Sequence, residues 1–383
     1  MLDLAHPNSN AFCRLTQSIP HPFLRMKPKT TIVLVFDGLS ASLPGPYGNT
    51  TVDTPGFNRL ASISTLSDFC IVRSPELAAG VSHLWSPLSD CQGHRCLLTD
   101  SEEVAQLGQQ DGLFDSIDAI QNETAKGLAE SIGETTSAHF FARAIEKIQS
   151  SQPGDLLWLH HDGLYGTWDA PYSIRQSLAD EEDPDPPTDH QRPALKVDRD
   201  VDPDELLGYQ QSAYAQLVVL DHMLSLFLEQ VSSLPHAAET ELVVTSLRGY
   251  PLGEHQSVGI PDNLFSESVH VPFFHCHAID GSVFGSRQGN LCFADGVLRE
   301  ILETPDTQED ENELFISTAE SQISAQDSRW KLIFDPHDPE QAMLFAKPDD
   351  RWEVNDVSRR CRDVVDSMIQ QVLKAKPNLQ AGL

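Results

Sequence analysis

The chain has 383 residues, an ordinary share of hydrophobic residues and a formal net charge of −31. The length suits one large domain, or one large and one small domain. The negative charge argues against nucleic acids and anionic membranes as partners, because phosphate groups are bound by clustered Lys and Arg. The seven cysteines are few and odd in number, which favours reduced thiols in a cytosolic protein over a disulfide framework.

The sequence has no run of about 18 continuous apolar residues, and its first 29 residues lack an apolar core of signal-peptide length. We therefore expect a soluble, cytoplasmic protein. A start site upstream of Met1 would change that expectation about export.

Short apolar runs that end in polar or glycine residues recur along the chain, and they are typical of buried strands. Amphipathic helical patterns lie between them, and Asp202 or Asp204 is well placed to begin the longer helix. This alternation predicts an α/β fold with a mostly parallel central sheet flanked by helices. The strand-like runs lie at residues 30–42, 94–100, 154–163 and 241–249, and the helical patterns at 136–150 and 202–234.

Residues 179–205 are acidic and rich in proline, and we expect them to form an exposed, mobile insertion. A calcium loop is the alternative for this insertion, but the Asp-x-Asp-x-Asp-Gly spacing is missing. Docking of a basic partner is a further hypothesis for it.

The C-terminal part of the sequence predicts a small α+β unit. Residues 303–313 form a second exposed linker by composition, and a hairpin and a closing helix follow it. We therefore place the main α/β domain at 1–300 and a small subdomain at 301–383. The hairpin strands are predicted at 329–336 and 342–350, and the helix at 355–375.

Residues 32–62 resemble the opening segment of sulfatases, a family of the alkaline phosphatase superfamily. The match rests on Asp37 at a strand end and on Tyr47-Gly48-Asn49, Thr54-Pro55 and Arg59-Leu60-Ala61 downstream. Further segments are similar to the family in the same order, at 159–171, 214–228, 243–259, 268–274 and 344–358. The resemblance covers nearly the whole chain and implies an alkaline phosphatase-like fold.

Membership of that family would imply hydrolysis of sulfate esters. The family nucleophile is a Cys or Ser converted to formylglycine, beside a divalent cation held by Asp side chains and an amide or His at strand ends. Such chemistry needs a hard cation and basic donors, because negative charge lies on the nonbridging oxygens of the ester. A calcium-like ion in turn needs several oxygen ligands.

This sequence departs from that pattern at most of the positions that carry the chemistry. Asp37 is retained, but Gly38 stands where the second Asp is expected. Ser74 is a candidate nucleophile in a shifted register, yet no Pro-x-Arg follows it. The other departures are Leu77 at the nucleophile position, Thr99-Asp100 where a Lys is expected, Tyr165 for a His, Leu247 and Arg248 for the Asp-His ligand pair, and Ile260 near a second expected Lys.

We interpret these positions as a vestigial cleft without catalytic residues or a cofactor, because one carboxylate does not hold a hard cation. A buried Asp37 without its cation would be costly unless it were paired or protonated. We therefore predict that the guanidinium of Arg248 reaches Asp37 and fills the vacant metal site. The alternative is that Arg248 points to solvent. The cleft comprises Asp37, Gly38, Leu77, Tyr165, Leu247, Arg248, Glu254 and His255, of which the last two match the turn after the strand.

Other candidate ligands have structural explanations. His160 and His161 are adjacent on a strand and point to opposite faces, so we expect one to pack and one to line the cleft. His275 and His277 share a face and form a possible metal pair, which a half-buried or edge strand explains as well. Zinc at Cys91 and Cys96 lacks two further ligands. Ser82 and His83 are neighbours and do not form a triad.

The leading hypothesis is a sulfatase-like pseudoenzyme that binds a small anionic or sugar-like ligand in the old cleft, or a protein partner on its surface. The alternative is a divergent hydrolase of sulfate or phosphate esters. That alternative requires calcium or magnesium at Asp37 and a nucleophile such as Ser74 close to the substrate.

Overall fold

An eight-stranded sheet forms the centre of the protein in its computed structural model, which describes residues 29–91, 93–121, 127–279, 283–302 and 314–376. The strand order is β10-β2-β9-β7-β1-β5-β3-β4, and β9 runs antiparallel to its two neighbours. The other pairings are parallel. The strands are β1 (Thr30–Gly38), β2 (Thr65–Ile71), β3 (Arg95–Thr99), β4 (Ser116–Ala119), β5 (Leu156–His161), β7 (Thr240–Gly249), β9 (Phe273–Cys276) and β10 (Ser286–Phe293), with a small pair outside the sheet, β6 (Leu195–Lys196) and β8 (Ser257–Val258).

Helices cover both faces of this sheet. The central strands are apolar on both faces because Ile32, Leu34 and Phe36 of β1 face one core while Val33 and Val35 face the other. Helices on the first face are α1 (Pro55–Ser62), α4 (Thr136–Ser150) and α6 (Pro203–Ser232). Those on the second face are α2 (Leu77–Trp85), α3 (Glu102–Asp111) and α8 (Ala294–Leu302); α5 (Tyr172–Ser177) and α7 (Ser266–Val269) are short.

The predicted α/β architecture is therefore confirmed, including its two principal helices. The N-cap of α6 is Asp202, whose side chain accepts a hydrogen bond from the Asp204 backbone, and Pro203 takes the first helical position. Thr135 caps α4 in the same way through the backbone N–H of Ala138. No helix in the described residues is long and apolar enough to cross a membrane.

A second, antiparallel sheet follows α8. Its strands are β11 (Phe315–Thr318), β12 (Ile323–Gln326), β13 (Trp330–Asp335) and β14 (Asp338–Ala346), and α9 (Arg362–Ala375) packs on it through a separate hydrophobic cluster. The predicted hairpin corresponds to β13 and β14, and the predicted closing helix to α9. The predicted linker at 303–313 and residues 1–28 lie outside the described residues.

The acidic insertion at 179–205 is exposed at most positions, but it is tied to the protein along its length. The buried guanidinium of Arg175 donates to the carbonyl oxygens of Pro187 at 2.7 Å and Asp189 at 2.8 Å. Further along, β6 pairs with β8. The sequence of the insertion does not reveal these contacts, because Arg175 and β8, which hold it, lie outside it.

Candidate functional site

The candidate site lies at the carboxyl ends of β1, β5 and β7, where Asp37 and Arg248 come together. β1 and β7 are parallel neighbours, with Phe36 opposite Ser246 and Gly38 opposite Gly249. Two steps along β1 therefore match three steps along β7, which is a β-bulge. Leu247 lies in the second core on the same face of β7 as Val243, as strict alternation requires. The bulge breaks the alternation beyond this point, where Arg248 turns toward Asp37.

Arg248 and Asp37 form a buried, bidentate ion pair. The guanidinium donates from Nε to Oδ1 and from Nη2 to Oδ2, both at 2.8 Å. Its remaining nitrogen, Nη1, donates to the carbonyl oxygen of Pro75 at 3.1 Å. Asp37 is 1% and Arg248 is 7% exposed. The predicted contact is thus present, and the alternative of an Arg248 that points to solvent is wrong.

The charge of Arg248 is secured by its surroundings. Burial lowers the pKa of Arg248, but the charge and hydrogen bonds of Asp37 outweigh burial and raise it above the usual value. Arg248 therefore remains positively charged across the physiological range. Paired and hydrogen-bonded in this way, two buried charges avoid the desolvation cost that either would meet alone.

Tyr165 covers the ion pair at the position where the family resemblance predicts a histidine. The guanidinium of Arg248 lies 3.8 Å from the centre of its ring, a cation–π contact. Arg192, from the acidic insertion, approaches the same ring at 5.2 Å. Burial raises the pKa of the Tyr165 hydroxyl. Arg192 of the insertion and Arg248 of β7 thus both approach the ring of Tyr165.

Gly38 shows why a second carboxylate is missing from the site. Its φ of +92° disfavours any other residue. A Cβ at this position would lie 3.0 Å from Leu164 Cβ and 3.1 Å from Tyr165 Cδ2. The space for an Asp side chain is therefore already taken by the segment that carries Tyr165.

Leu247 and Leu77 were predicted to belong to the cleft, and both pack with the second core instead. Leu247 is fully buried beneath α2, where its Cδ1 lies 3.1 Å from the place of a Cβ on Gly80. Leu77 packs partly buried against the same cluster. Ser74, the alternative nucleophile, is 2% exposed, and its hydroxyl accepts a hydrogen bond from the backbone of Glu76.

Glu254 and His255 hold the turn after β7 and join the main sheet to the second one. Glu254 accepts from the backbone of Leu252 at 2.6 Å. His255 contacts Glu267 through Nδ1 at 2.8 Å and donates from Nε2 to the carbonyl of Glu353 at 3.1 Å. Burial lowers the pKa of His255, but the hydrogen bond and charge of Glu267 raise it overall. These contacts place the predicted pair in a structural role.

The ends of β3 and β5 bring together polar residues whose pairing the sequence did not indicate. His161 donates from Nδ1 to Asp100 at 2.7 Å, and its Nε2 lies 3.0 Å from the Ser137 hydroxyl. On the other face of β5, burial lowers the pKa of His160 to about 4, and its Nε2 has no hydrogen-bond partner. The sequence feature that could have identified Asp100 is its position directly after β3, the strand that pairs with β5.

Asp162 follows these histidines in the chain, and the pKa of its carboxyl group is strongly raised. Burial raises its pKa to about 7, with contributions from the negative charges of Asp100 and Asp37. A carboxyl group that titrates near neutrality is the kind of group that general acid–base catalysis uses. Asp162 is therefore the residue by which the hydrolase alternative would be argued.

The resemblance implies a calcium or magnesium ion at Asp37, and the residues present do not fit one. Both oxygens of Asp37 are engaged by Arg248, and the positive guanidinium would repel a cation at the same place. Position 38 has no room for a ligand. Within the described ranges, the group of three His, Cys, Asp or Glu ligand atoms within 4.8 Å of one another lies elsewhere, at Glu241, His275 and His277.

A groove of about 1030 Å³ lies between the β2–β10 edge of the main sheet and the second sheet. It adjoins a cavity of about 490 Å³ that also contacts Glu254 and His255. Four basic side chains line the groove against two acidic ones, which is a local excess of positive charge on a strongly acidic protein. The basic residues are Arg287, Arg329, Lys347 and Arg351, and the acidic residues are Asp68 and Asp327.

We expect Asp162 to make the protein less stable as the pH rises. Its folded pKa of about 7 exceeds the ordinary value for Asp, so the folded state holds this proton more tightly than the unfolded state does. The associated stability is fully present below about pH 4 and is lost as the pH rises toward 7. Asp162→Asn should therefore be more stable than the wild type at pH 8, by roughly 1–3 kcal/mol, and not at pH 4.

Urea unfolding at the two pH values measures this difference. Asp111→Asn is the matched control, because Asp111 is exposed at the end of α3 and should show no such pH-dependent gain. An equal effect of Asp162→Asn at both pH values would contradict the expectation.

Solved structures similar to this one share its whole architecture. BT1596, a 2-O GAG sulfatase, aligns with a TM-score of 0.68 and 12% identity over 93% of this chain and 94% of its own. The phosphonate monoester hydrolase of Agrobacterium radiobacter aligns with a TM-score of 0.67 and 12% identity, over 93% of this chain and 96% of its own. BT4656, solved with its substrate D-glucosamine-2-N,6-O-disulfate, aligns with a TM-score of 0.65 and 10% identity, over 93% of this chain and 98% of its own.

By sequence, no family model and no curated protein matches the chain. At 10–12% identity the structural likeness concerns the fold, since one fold carries many different chemistries. It extends over both sheets, because more than nine-tenths of each chain is covered. The protein therefore has the alkaline phosphatase-like fold of these structures.

Proposed function

We propose that this protein is a sulfatase-fold protein that does not hydrolyse sulfate or phosphate esters. The single observation that carries the proposal is the bidentate ion pair between Arg248 and Asp37, which takes the place of the expected divalent cation. An ion at that place would contribute both a counter-charge for Asp37 and open coordination positions for a substrate. The guanidinium supplies only the first of these.

Arg248 is poorly placed to stabilise a transition state itself. Electrostatic catalysis needs donors that point at the position where negative charge develops on the substrate. Nε and both terminal nitrogens of Arg248 already donate within the protein, to Asp37 or to Pro75, which engages three of its five N–H groups. Tyr165 lies against the guanidinium. A substrate would have to displace Tyr165 or compete with the buried carboxylate of Asp37.

The candidate nucleophile and base do not complete a catalytic arrangement either. Ser74 is buried, and its hydroxyl accepts from a backbone N–H rather than facing a base. His161 is engaged on both nitrogens by Asp100 and Ser137. The hydrolase alternative would need Arg248 to leave Asp37, and we treat it as the outcome that overturns the proposal.

Elemental analysis of the purified protein, combined with assays of an aryl sulfate, an aryl phosphate and an aryl phosphonate monoester, tests the proposal. We expect substoichiometric calcium and magnesium and no turnover above the uncatalysed rate. Stoichiometric metal with turnover that is lost in Ser74→Ala and in Asp162→Asn would establish the hydrolase alternative. Comparing both variants guards against activity from a contaminating enzyme, which neither substitution would affect.

The ion pair makes a second, independent prediction about stability. Arg248→Met leaves Asp37 buried without its partner and should lower the free energy of unfolding by about 3–5 kcal/mol. The double variant with Asp37→Asn should recover a large part of that loss, because no unpaired charge remains. Urea unfolding of the single and double variants measures both effects.

Lys196→Met is the matched control for that series. Lys196 pairs with Asp262 at the surface, where both side chains are about half exposed, and its loss should change stability by at most about 1 kcal/mol. If Arg248→Met changed the free energy of unfolding as little as this control, the buried pair would not be a major contributor to stability. Stabilisation of the Arg248→Met variant by calcium would point to a metal site that Arg248 normally blocks.

For the ligand, we propose a small anionic or sugar-like molecule in the basic groove rather than in the old cleft. Arg248 and Tyr165 fill the cleft, whereas the groove is open and carries the local excess of positive charge. Such an excess raises the local concentration of anions on an otherwise acidic protein. Arg329 is exposed in the groove and is the residue best placed to meet a ligand.

Calorimetric titration with a sulfated disaccharide tests the groove. Arg329→Ala should weaken binding about tenfold, because a hydrogen bond to a charged group is lost. Arg359→Ala, an exposed change outside the groove, should leave the affinity unchanged. Equal affinity in all three proteins would remove the groove as the ligand site, and a protein partner would become the leading possibility.

A further inference from the structure

Glu241, His275 and His277 form a cluster at the start of β7, remote from the cleft at the carboxyl end of that strand. Glu241 is the second residue of β7 and Arg248 the ninth, so about 20 Å of strand separates them. The resemblance to sulfatases concerns the opposite end of the sheet. The cluster is therefore not a remnant of the family's metal site.

The strand register explains why these three side chains meet. β9 is antiparallel to β7, with Leu242 opposite Cys276 and Val243 opposite His275. Continuing this register by one residue sets Glu241 opposite His277. Since alternate residues of a strand share a face, both histidines lie on the same face as Glu241.

The distances within the cluster suit a shared ligand. His275 Nε2 lies 2.6 Å and His277 Nδ1 lies 3.7 Å from the same carboxylate oxygen of Glu241. One ligand atom from each residue lies within 4.8 Å of the other two. The donor atoms of a tetrahedral zinc site are about 3.3 Å apart, so small side-chain rotations would suffice.

The three side chains also offer a path from solvent to the ligand atoms. The Glu241 side chain is 8% exposed and that of His275 12%, whereas that of His277 is 48% exposed. Two ligands are thus held in place by the sheet, and the third is free to move onto an ion.

A positive group already occupies the position beside this carboxylate. Lys29 Nζ lies 2.9 Å from Glu241 Oε1, and its side chain is 44% exposed. Thr31 pairs with Glu241 across β1 and β7, so Lys29, two residues earlier, approaches the same face. The buried carboxylate therefore attracts a cation, and an exposed lysine is a partner that a metal ion can displace.

We propose that Glu241, His275 and His277 bind a zinc ion. Two imidazole nitrogens and one carboxylate oxygen are a donor set for zinc, with water in the fourth position. Calcium and magnesium prefer oxygen ligands throughout, and the two histidines therefore disfavour them. The ion would join β9, the antiparallel strand of the main sheet, to β7. This inference is independent of the proposed loss of hydrolysis.

Titration of the untagged full chain with zinc sulfate, after dialysis against EDTA, tests the site. We expect one equivalent of zinc to bind and the thermal unfolding midpoint to rise with zinc concentration. His277→Ala should weaken zinc binding at least tenfold while the apo protein remains folded, since the side chain of His277 is half exposed. His337→Ala, an exposed change in the turn between β13 and β14, is the matched control and should bind zinc as the wild type does.

Two further measurements distinguish specific zinc binding at these three residues from adventitious binding. Lys29→Ala should tighten zinc binding, because the competing cation is removed from Glu241. Cobalt in place of zinc should give the visible absorption of a four-coordinate ion in the wild type and not in His277→Ala. No zinc binding, or zinc binding that is the same in the wild type and in His277→Ala, would overturn the proposal.

Discussion

The buried ion pair between Asp37 and Arg248 is the interaction on which the structure at the carboxyl ends of β1 and β7 depends. Within the described residues neither charge forms another ion pair, and both are nearly inaccessible to water. Removing one would strand the other in a medium of low dielectric constant. Three features maintain this geometry: the bulge in β7, the lack of space for a side chain at Gly38, and the ring of Tyr165 against the guanidinium.

Features set by local pattern could be predicted from the sequence. The strands β1 and β7 and the helices α4 and α6 follow from apolar periodicity and capping residues, because those signals are local. The contact of Arg248 with Asp37 was also predictable. It required only that two neighbouring parallel strands place their carboxyl ends at the same edge of the sheet, together with the cost of an unpaired buried carboxylate.

Features set by distant neighbours could not be predicted in this way. Strict alternation along β7 places Leu247 on the same core face as Val243, but it does not allow for the bulge at the end of the strand, beside Arg248. The acidic insertion has a composition typical of disorder, yet Arg175 from outside it supplies the hydrogen bonds that hold it. Likewise, the pairing of His161 with Asp100 depends on which strands become neighbours.

The proposed function follows from separating two contributions of a metal ion. A cation beside Asp37 first compensates a buried negative charge, and this is a requirement of folding. It also presents vacant coordination positions to a substrate, and this is a requirement of catalysis. A guanidinium meets the first requirement with directed hydrogen bonds and cannot meet the second, since it has no coordination positions to offer. On this argument, a single arginine is compatible with a sulfatase fold that keeps its stability and has no site for the reaction.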